Sequence, residues 1–192
     1  MEFIAGVEIS AQFEPGTMHI LGYFIHSEQP DLERGLADLQ RAREERNPEI
    51  VKKLSALGIR LDYAEVVRVS GGGQVGRPHF AKVLVEKGFF RNREQAFEKY
   101  LKNGAPAYVD KRRLSPADSI QLIQKAGGTA VLAHPKQLKC AGDGAFEKIL
   151  KELKSLGLAG VEVYHASHGR ADVKNFNRMA DELDLVATGG SD

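Results

Sequence analysis

One short segment limits the fold of this chain more than any other: Thr129-Ala130-Val131-Leu132-Ala133-His134-Pro135, preceded by Gly127-Gly128. It is apolar and built from small and branched side chains, so it reads as a strand buried on both faces, as in a parallel sheet covered by helices. Pro135 lacks the N–H that would continue a ladder, which leaves the His134 imidazole at the strand's C-terminal end. In α/β folds that edge gathers the loops that carry chemistry. Two further segments repeat the design. Gly160-Val161-Glu162-Val163-Tyr164 runs into His165 and His168, and Leu185-Val186-Ala187-Thr188 runs into Gly189-Gly190-Ser191-Asp192. Histidines and carboxylates delivered to one sheet edge predict a metal site.

The rest of the chain fits strands around a helical block. Residues 3–10 and 18–25 read as two strands joined at Pro15-Gly16. From Asp31, taken as an N-cap, the apolar spacing of Leu32, Leu36 and Leu39 is helical, with a solvated Arg/Lys/Glu face over 41–60. Asn47-Pro48 predicts a break or kink in that helix. Asp62, Pro78, Asn92 and Ser115-Pro116 mark further helix starts. Beyond them, strand 129–133, helix 144–156, strand 159–164, helix 171–183 and strand 185–188 alternate. The expectation is an α/β barrel or layer formed by 1–30 and 113–192, with an all-helical insertion at 31–112.

At 192 residues, 42% hydrophobic, the chain can bury the core of such a domain. Its net charge of +1 argues against a global field for nucleic acid or anionic membrane. The single cysteine, Cys140, cannot form an internal disulfide and fits a reducing, cytoplasmic setting. No stretch approaches the ~20 apolar residues of a membrane span. A core strand begins almost at residue 1 and another stops at Asp192 without a covering helix, so the chain reads as truncated at both ends.

Several side chains could carry chemistry. Glu8, between Val7 and Ile9, either faces solvent or is a ligand, since a buried carboxylate must be paired or metal-bound. His19 opens an equally apolar strand and is a structural histidine unless Glu8 and His134 join it. Arg77-Pro78-His79 follows a glycine-rich loop and opens a helix, where free N–H groups and a guanidinium could hold phosphate; a capped helix start with a surface arginine is the rival reading. His165 could touch metal or substrate, and Glu162 suits a supporting acid. Asp192 alone would pass for a turn aspartate.

With these residues in hand, the chain resembles the PHP (polymerase and histidinol phosphatase) superfamily, in its nucleotide-phosphoesterase and 5′–3′ exoribonuclease branch. The stretches that carry the likeness are Gly6-Val7-Glu8-Ile9-Ser10, His19-Ile20-Leu21-Gly22, Gly76-Arg77-Pro78-His79, Ala107-Tyr108-Val109, Ala126-Gly127-Gly128 through His134-Pro135, Gly160-Val161-Glu162-Val163-Tyr164 and Gly190-Ser191-Asp192. Each is short, and their order is the family's.

The resemblance implies an incomplete distorted (β/α)7 barrel with a helical insertion and two or three divalent ions, Mn, Zn or Fe. By that likeness Glu8, His19, His134 and Asp192 are metal ligands, and Asp192 and His134 also serve catalysis. Arg77, His79 and His165 fall on the substrate side. The family's opening His-x-His strand and the histidine two residues beyond the last aspartate have no counterpart here, so part of the metal site is expected to be missing. The implied reaction is hydrolysis of phosphate esters of nucleotides or short 5′-phosphorylated single-stranded RNA. Two rivals are a non-catalytic nucleic-acid- or protein-binding module on this scaffold and a metal-dependent hydrolase of C–N bonds.

Overall fold

The computed structural model describes residues 3–191. The chain divides into two compact units, the described residues of Met1–Gly35 with Arg113–Asp192, and Leu36–Arg112.

The first unit is an α/β layer on a five-stranded mixed sheet, β1 (Gly6–Ala11), β2 (Met18–Tyr23), β3 (Thr129–Leu132), β4 (Gly160–His165) and β5 (Val186–Gly190), in that spatial order. β1, β2 and β3 pair antiparallel, while β3, β4 and β5 pair parallel. Strict alternation shapes the hairpin. Ile9, Ala11, Met18 and Ile20 are buried on one face, while Glu8, Ser10, His19 and Leu21 occupy the other. The buried face packs on α5 (Pro116–Lys125), whose Ile120 and Ile123 are fully buried. Gly22 permits that approach, since an added Cβ would meet Ile123 at 3.0 Å. Ser115 caps α5, its hydroxyl accepting from the Asp118 N–H, and Pro116 fills the first turn, as the sequence predicts. α6 (Asp143–Ser155) and α7 (Arg170–Glu182) follow β3 and β4, with Phe146 of α6 against Phe176 of α7.

α1 (Pro30–Ala56) starts in the first unit and continues into the second. It departs from expectation in three ways. Its first turn is capped by Gln29, whose Oε1 accepts from the Leu32 N–H at 2.7 Å, and Asp31 lies inside the helix. It runs through Pro48 without the break that the sequence allows there, and Asn47 just before it donates to Tyr63 and Val75. Finally, Arg46 and Asn47 are buried, although their stretch of sequence reads as a solvated face.

The second unit continues with α2 (Tyr63–Val69), α3 (Arg77–Glu86), α4 (Arg93–Ala96) and a π-helical turn, Phe97–Leu101. Asp62 and Asn92 cap α2 and α4 as expected. Ile50, Leu54, Val66, Phe80, Leu84 and Leu101 form this unit's own core.

Candidate metal centre

Register brings the first two candidate ligands together. Glu8 stands opposite Leu21 and His19 opposite Ser10, so Glu8 and His19 are diagonal neighbours on one face of the hairpin. Continuing the β2–β3 pairing past Leu132 delivers His134, and the Ala133 N–H donates to the His19 carbonyl at 3.0 Å. There the chain turns sharply. His134 adopts φ 25° and ψ 63°, a left-handed conformation that strains a residue with a Cβ, and Pro135 opens a 3₁₀ turn over Pro135–Leu138.

Three donor atoms meet at this corner. Glu8 Oε1 lies 2.7 Å from His19 Nδ1 and 3.3 Å from His134 Nε2, and the two nitrogens are 3.1 Å apart. Metal bonds of about 2.1 Å place neighbouring donors about 3.0–3.4 Å apart in octahedral or tetrahedral geometry. The observed separations are therefore close to the edges of a coordination polyhedron. Two imidazoles and one carboxylate also suit a borderline transition metal. The hydrogen bond from His134, followed by that from His19, holds the Glu8 carboxyl well below the usual carboxylate range against an opposing push from burial. Glu8, His19 and His134 can thus hold a metal ion.

The corner is braced from β4. Glu162 is 3% exposed, and its Oε2 accepts the His134 backbone N–H at 2.7 Å. Gly190 of β5 makes room for this carboxylate, since a Cβ at that position would overlap Glu162 Oε1. The sequence marks Glu162 only as a supporting acid; its partner follows from the parallel register of β3 and β4. His165 closes one side, its ring centroid 5.5 Å from that of His134 and 5.3 Å from that of His168. His168 Nδ1 donates to the Val163 carbonyl at 2.9 Å. Asp192 lies outside the described residues.

Arg77 and His79 belong to the second unit. The Arg77 guanidinium is sandwiched between Phe97 and Tyr108, 5.3 and 5.0 Å from their centroids, and Nη1 donates to the Leu101 carbonyl at 2.9 Å. His79 Nδ1 accepts the Gly76 N–H at 3.0 Å and caps α3. Cys140 is partly buried, which raises its thiol pKa.

No family model matches the chain. Against curated proteins, it is 34% identical over 191 residues to the 3′,5′-nucleoside bisphosphate phosphatase of Chromobacterium violaceum, covering 99% of this chain and 67% of that protein. It is 33% identical over 192 residues to a 5′-3′ exoribonuclease of Haemophilus influenzae, covering 100% of this chain and 69% of that one. This chain belongs to the PHP superfamily of phosphoesterases. Its fold agrees with a solved Chromobacterium violaceum protein described as an amidohydrolase with bound sulfate, at a TM-score of 0.89 and 33% identity over 98% of this chain and 67% of that one. A Bifidobacterium adolescentis protein described as a metal-dependent phosphoesterase superposes at a TM-score of 0.83 with 27% identity, over 97% of this chain and 66% of that one. The curated relatives named here are a phosphatase and an exoribonuclease, both hydrolases of phosphate esters, so the chain is of hydrolase type. Among the described residues no helix is long and apolar enough to cross a membrane.

Proposed function

We propose that the protein hydrolyses phosphate esters of nucleotides or of short 5′-phosphorylated single-stranded RNA at a divalent-metal site that includes Glu8, His19 and His134. The observation that carries this reading is the convergence of those three ligand atoms within 4.8 Å of one another. Support comes from relatives named as a nucleoside bisphosphate phosphatase and 5′-3′ exoribonucleases. The donor set favours Mn²⁺, Zn²⁺ or Fe²⁺ over Mg²⁺, and by family likeness two or three ions bind, with Asp192 as a further ligand. When bound, the ions supply Lewis acidity, polarising the phosphoryl group and acidifying water toward a pKa of about 7.

The chain's own residues do the remaining work in this reading. Hydrolysis forms one P–O bond from water and breaks the ester P–O bond, and the leaving alkoxide takes up a proton from solvent or a strand-end imidazole. Glu162 fixes the His134 backbone and so aims its Nε2. His165 borders the same corner and contacts substrate. The family likeness gives Arg77 and His79 a substrate-side role, in which the guanidinium would offset charge on phosphoryl oxygens. The mixed sheet would form part of a distorted (β/α)7 barrel, with 31–112 as an insertion, and the single cysteine suits a cytoplasmic protein.

The test is phosphate release from a nucleoside 3′,5′-bisphosphate and from 5′-phosphorylated RNA of a few nucleotides, using the full-length protein with Mn²⁺. Release abolished by EDTA and by His134→Ala is expected. A metal-loaded protein that leaves both substrates intact would refute the reading. A second reading, cleavage of a C–N bond, draws on the amidohydrolase description of one structural neighbour. Under it, Arg77→Ala should leave turnover nearly intact, whereas phosphate-ester hydrolysis should fall.

A further inference from the structure

Arg46 is 7% exposed, yet no carboxylate among the described residues pairs with it. Its Nε and Nη2 both donate to the same acceptor, Asn47 Oδ1, at 3.2 and 2.6 Å. Asn47, 1% exposed, is fixed from its other end, with Nδ2 donating to the Tyr63 hydroxyl at 3.0 Å and the Val75 carbonyl at 3.3 Å. A neutral amide therefore orients this guanidinium without cancelling its charge. Buried arginines are ordinarily paired with an anion, because desolvating an uncompensated cation is costly.

Two other arginines, Arg77 and Arg43, add to the positive charge acting on it. Burial, then Arg77 and Arg43, push the Arg46 pKa down to about 10, which still leaves it a cation at neutral pH. Arg46 lines a cavity of about 420 Å³ within the helical unit, together with Asp38, Arg41, Glu45, Asp110 and Arg112. Two of the acids on that wall are already engaged. Asp110 accepts from the Tyr108 hydroxyl at 2.8 Å and the Lys111 N–H at 2.9 Å, and Asp38 faces Arg41 at 3.5 Å. The volume is in the range of small-ligand pockets, roughly 300–1,000 Å³.

We propose that this cavity is an anion site in which Arg46 grips a phosphate group, either free phosphate or the monoester of a nucleotide. A guanidinium has five N–H donors in a planar fork, so those not used by Asn47 remain for a phosphate oxygen pair. The site lies wholly in the second unit and does not rest on the metal-centre reading.

The experiment titrates inorganic phosphate, and separately a nucleoside 5′-monophosphate, into metal-free protein in excess EDTA while following thermal unfolding. Ligand that binds only the folded state must raise the melting temperature in a saturable way. Wild type is expected to shift with phosphate. Arg46→Met is expected to fold at least as stably without ligand, because replacing a buried charge by an apolar chain of similar volume is often neutral or stabilising. It should also lose the shift, with affinity down more than about tenfold. Arg46→Lys keeps the charge but not the fork and should bind with intermediate affinity. His134→Ala should respond as wild type does, which separates this site from the metal centre. A stronger response to the nucleotide assigns the monoester as ligand, and an equal response assigns the free anion. A wild type indifferent to both ligands, or an Arg46→Met or Arg46→Lys protein that responds as wild type does, would overturn the proposal.

Discussion

Replacing Glu162 by alanine tests how the metal corner is held. The substitution removes the acceptor of the His134 backbone N–H, a 2.7 Å bond between buried groups. Hydrogen bonds to a charged partner contribute about 1.5–3 kcal/mol, and an orphaned buried donor carries a penalty of similar size. His134 is also held in a left-handed conformation that costs about 1–3 kcal/mol when no neighbour enforces it. Losing the brace lets the backbone relax, which recovers part of that strain but turns the imidazole away from Glu8 and His19. The net expectation is a loss of about 1.5–3 kcal/mol in urea unfolding of metal-free protein. Mn²⁺ affinity should also fall about 10- to 100-fold, as for partners that orient ligands. Glu162→Gln retains an acceptor of the same shape and should lose less than half as much in both assays. If Glu162→Ala unfolds at the wild-type urea midpoint and binds Mn²⁺ as tightly, or if the glutamine variant is equally impaired, Glu162 does not position His134.

Gly190→Ala should reproduce part of this phenotype from the neighbouring strand, because its methyl group would displace the Glu162 carboxylate. A loss of about 1–3 kcal/mol, typical of overpacking, together with weaker Mn²⁺ binding, would be measured by urea unfolding and metal titration. Acid should weaken the hairpin corner through Glu8. Its folded pKa lies below the unfolded value, so its contribution is complete above about pH 4.5 and is lost as pH falls toward and through the folded value. The loss in urea midpoint between pH 5 and pH 3 should be smaller in Glu8→Gln than in wild type. Because the Glu8 side chain is 38% exposed, solvent screening keeps that difference modest.

Much of the first unit was readable along the chain because its signals are local. Ser115-Pro116 fixes a helix start by capping chemistry, and the run ending at His134-Pro135 fixes a buried strand by composition. Residues 3–10 and 18–25 read as two strands, although which face carries Glu8 and His19 emerges only from the burial of the paired hairpin. What escaped depends on distant partners. Arg46 sits among glutamates in sequence, and its side chain is buried beside Asn47, whose own partners, Tyr63 and Val75, lie 16 and 28 positions further on. Pro48 removes one helical hydrogen bond, which ordinarily ends or kinks a helix, yet α1 continues past it to Ala56. Likewise, the bond from His134 to Glu162 spans 28 residues and exists only because β3 and β4 lie parallel in one register.

The antiparallel hairpin gives the corner an unequal dependence on the rest of the chain. Glu8 and His19 travel as one cassette, their spacing set by the β1–β2 ladder. His134 must be brought from far along the polypeptide, and its backbone is held by the continuation of the β2–β3 pairing and by Glu162. Partial opening of the sheet between β2 and β3 would therefore leave a two-donor remnant intact, and dismantling of the cation cradle should begin at that seam.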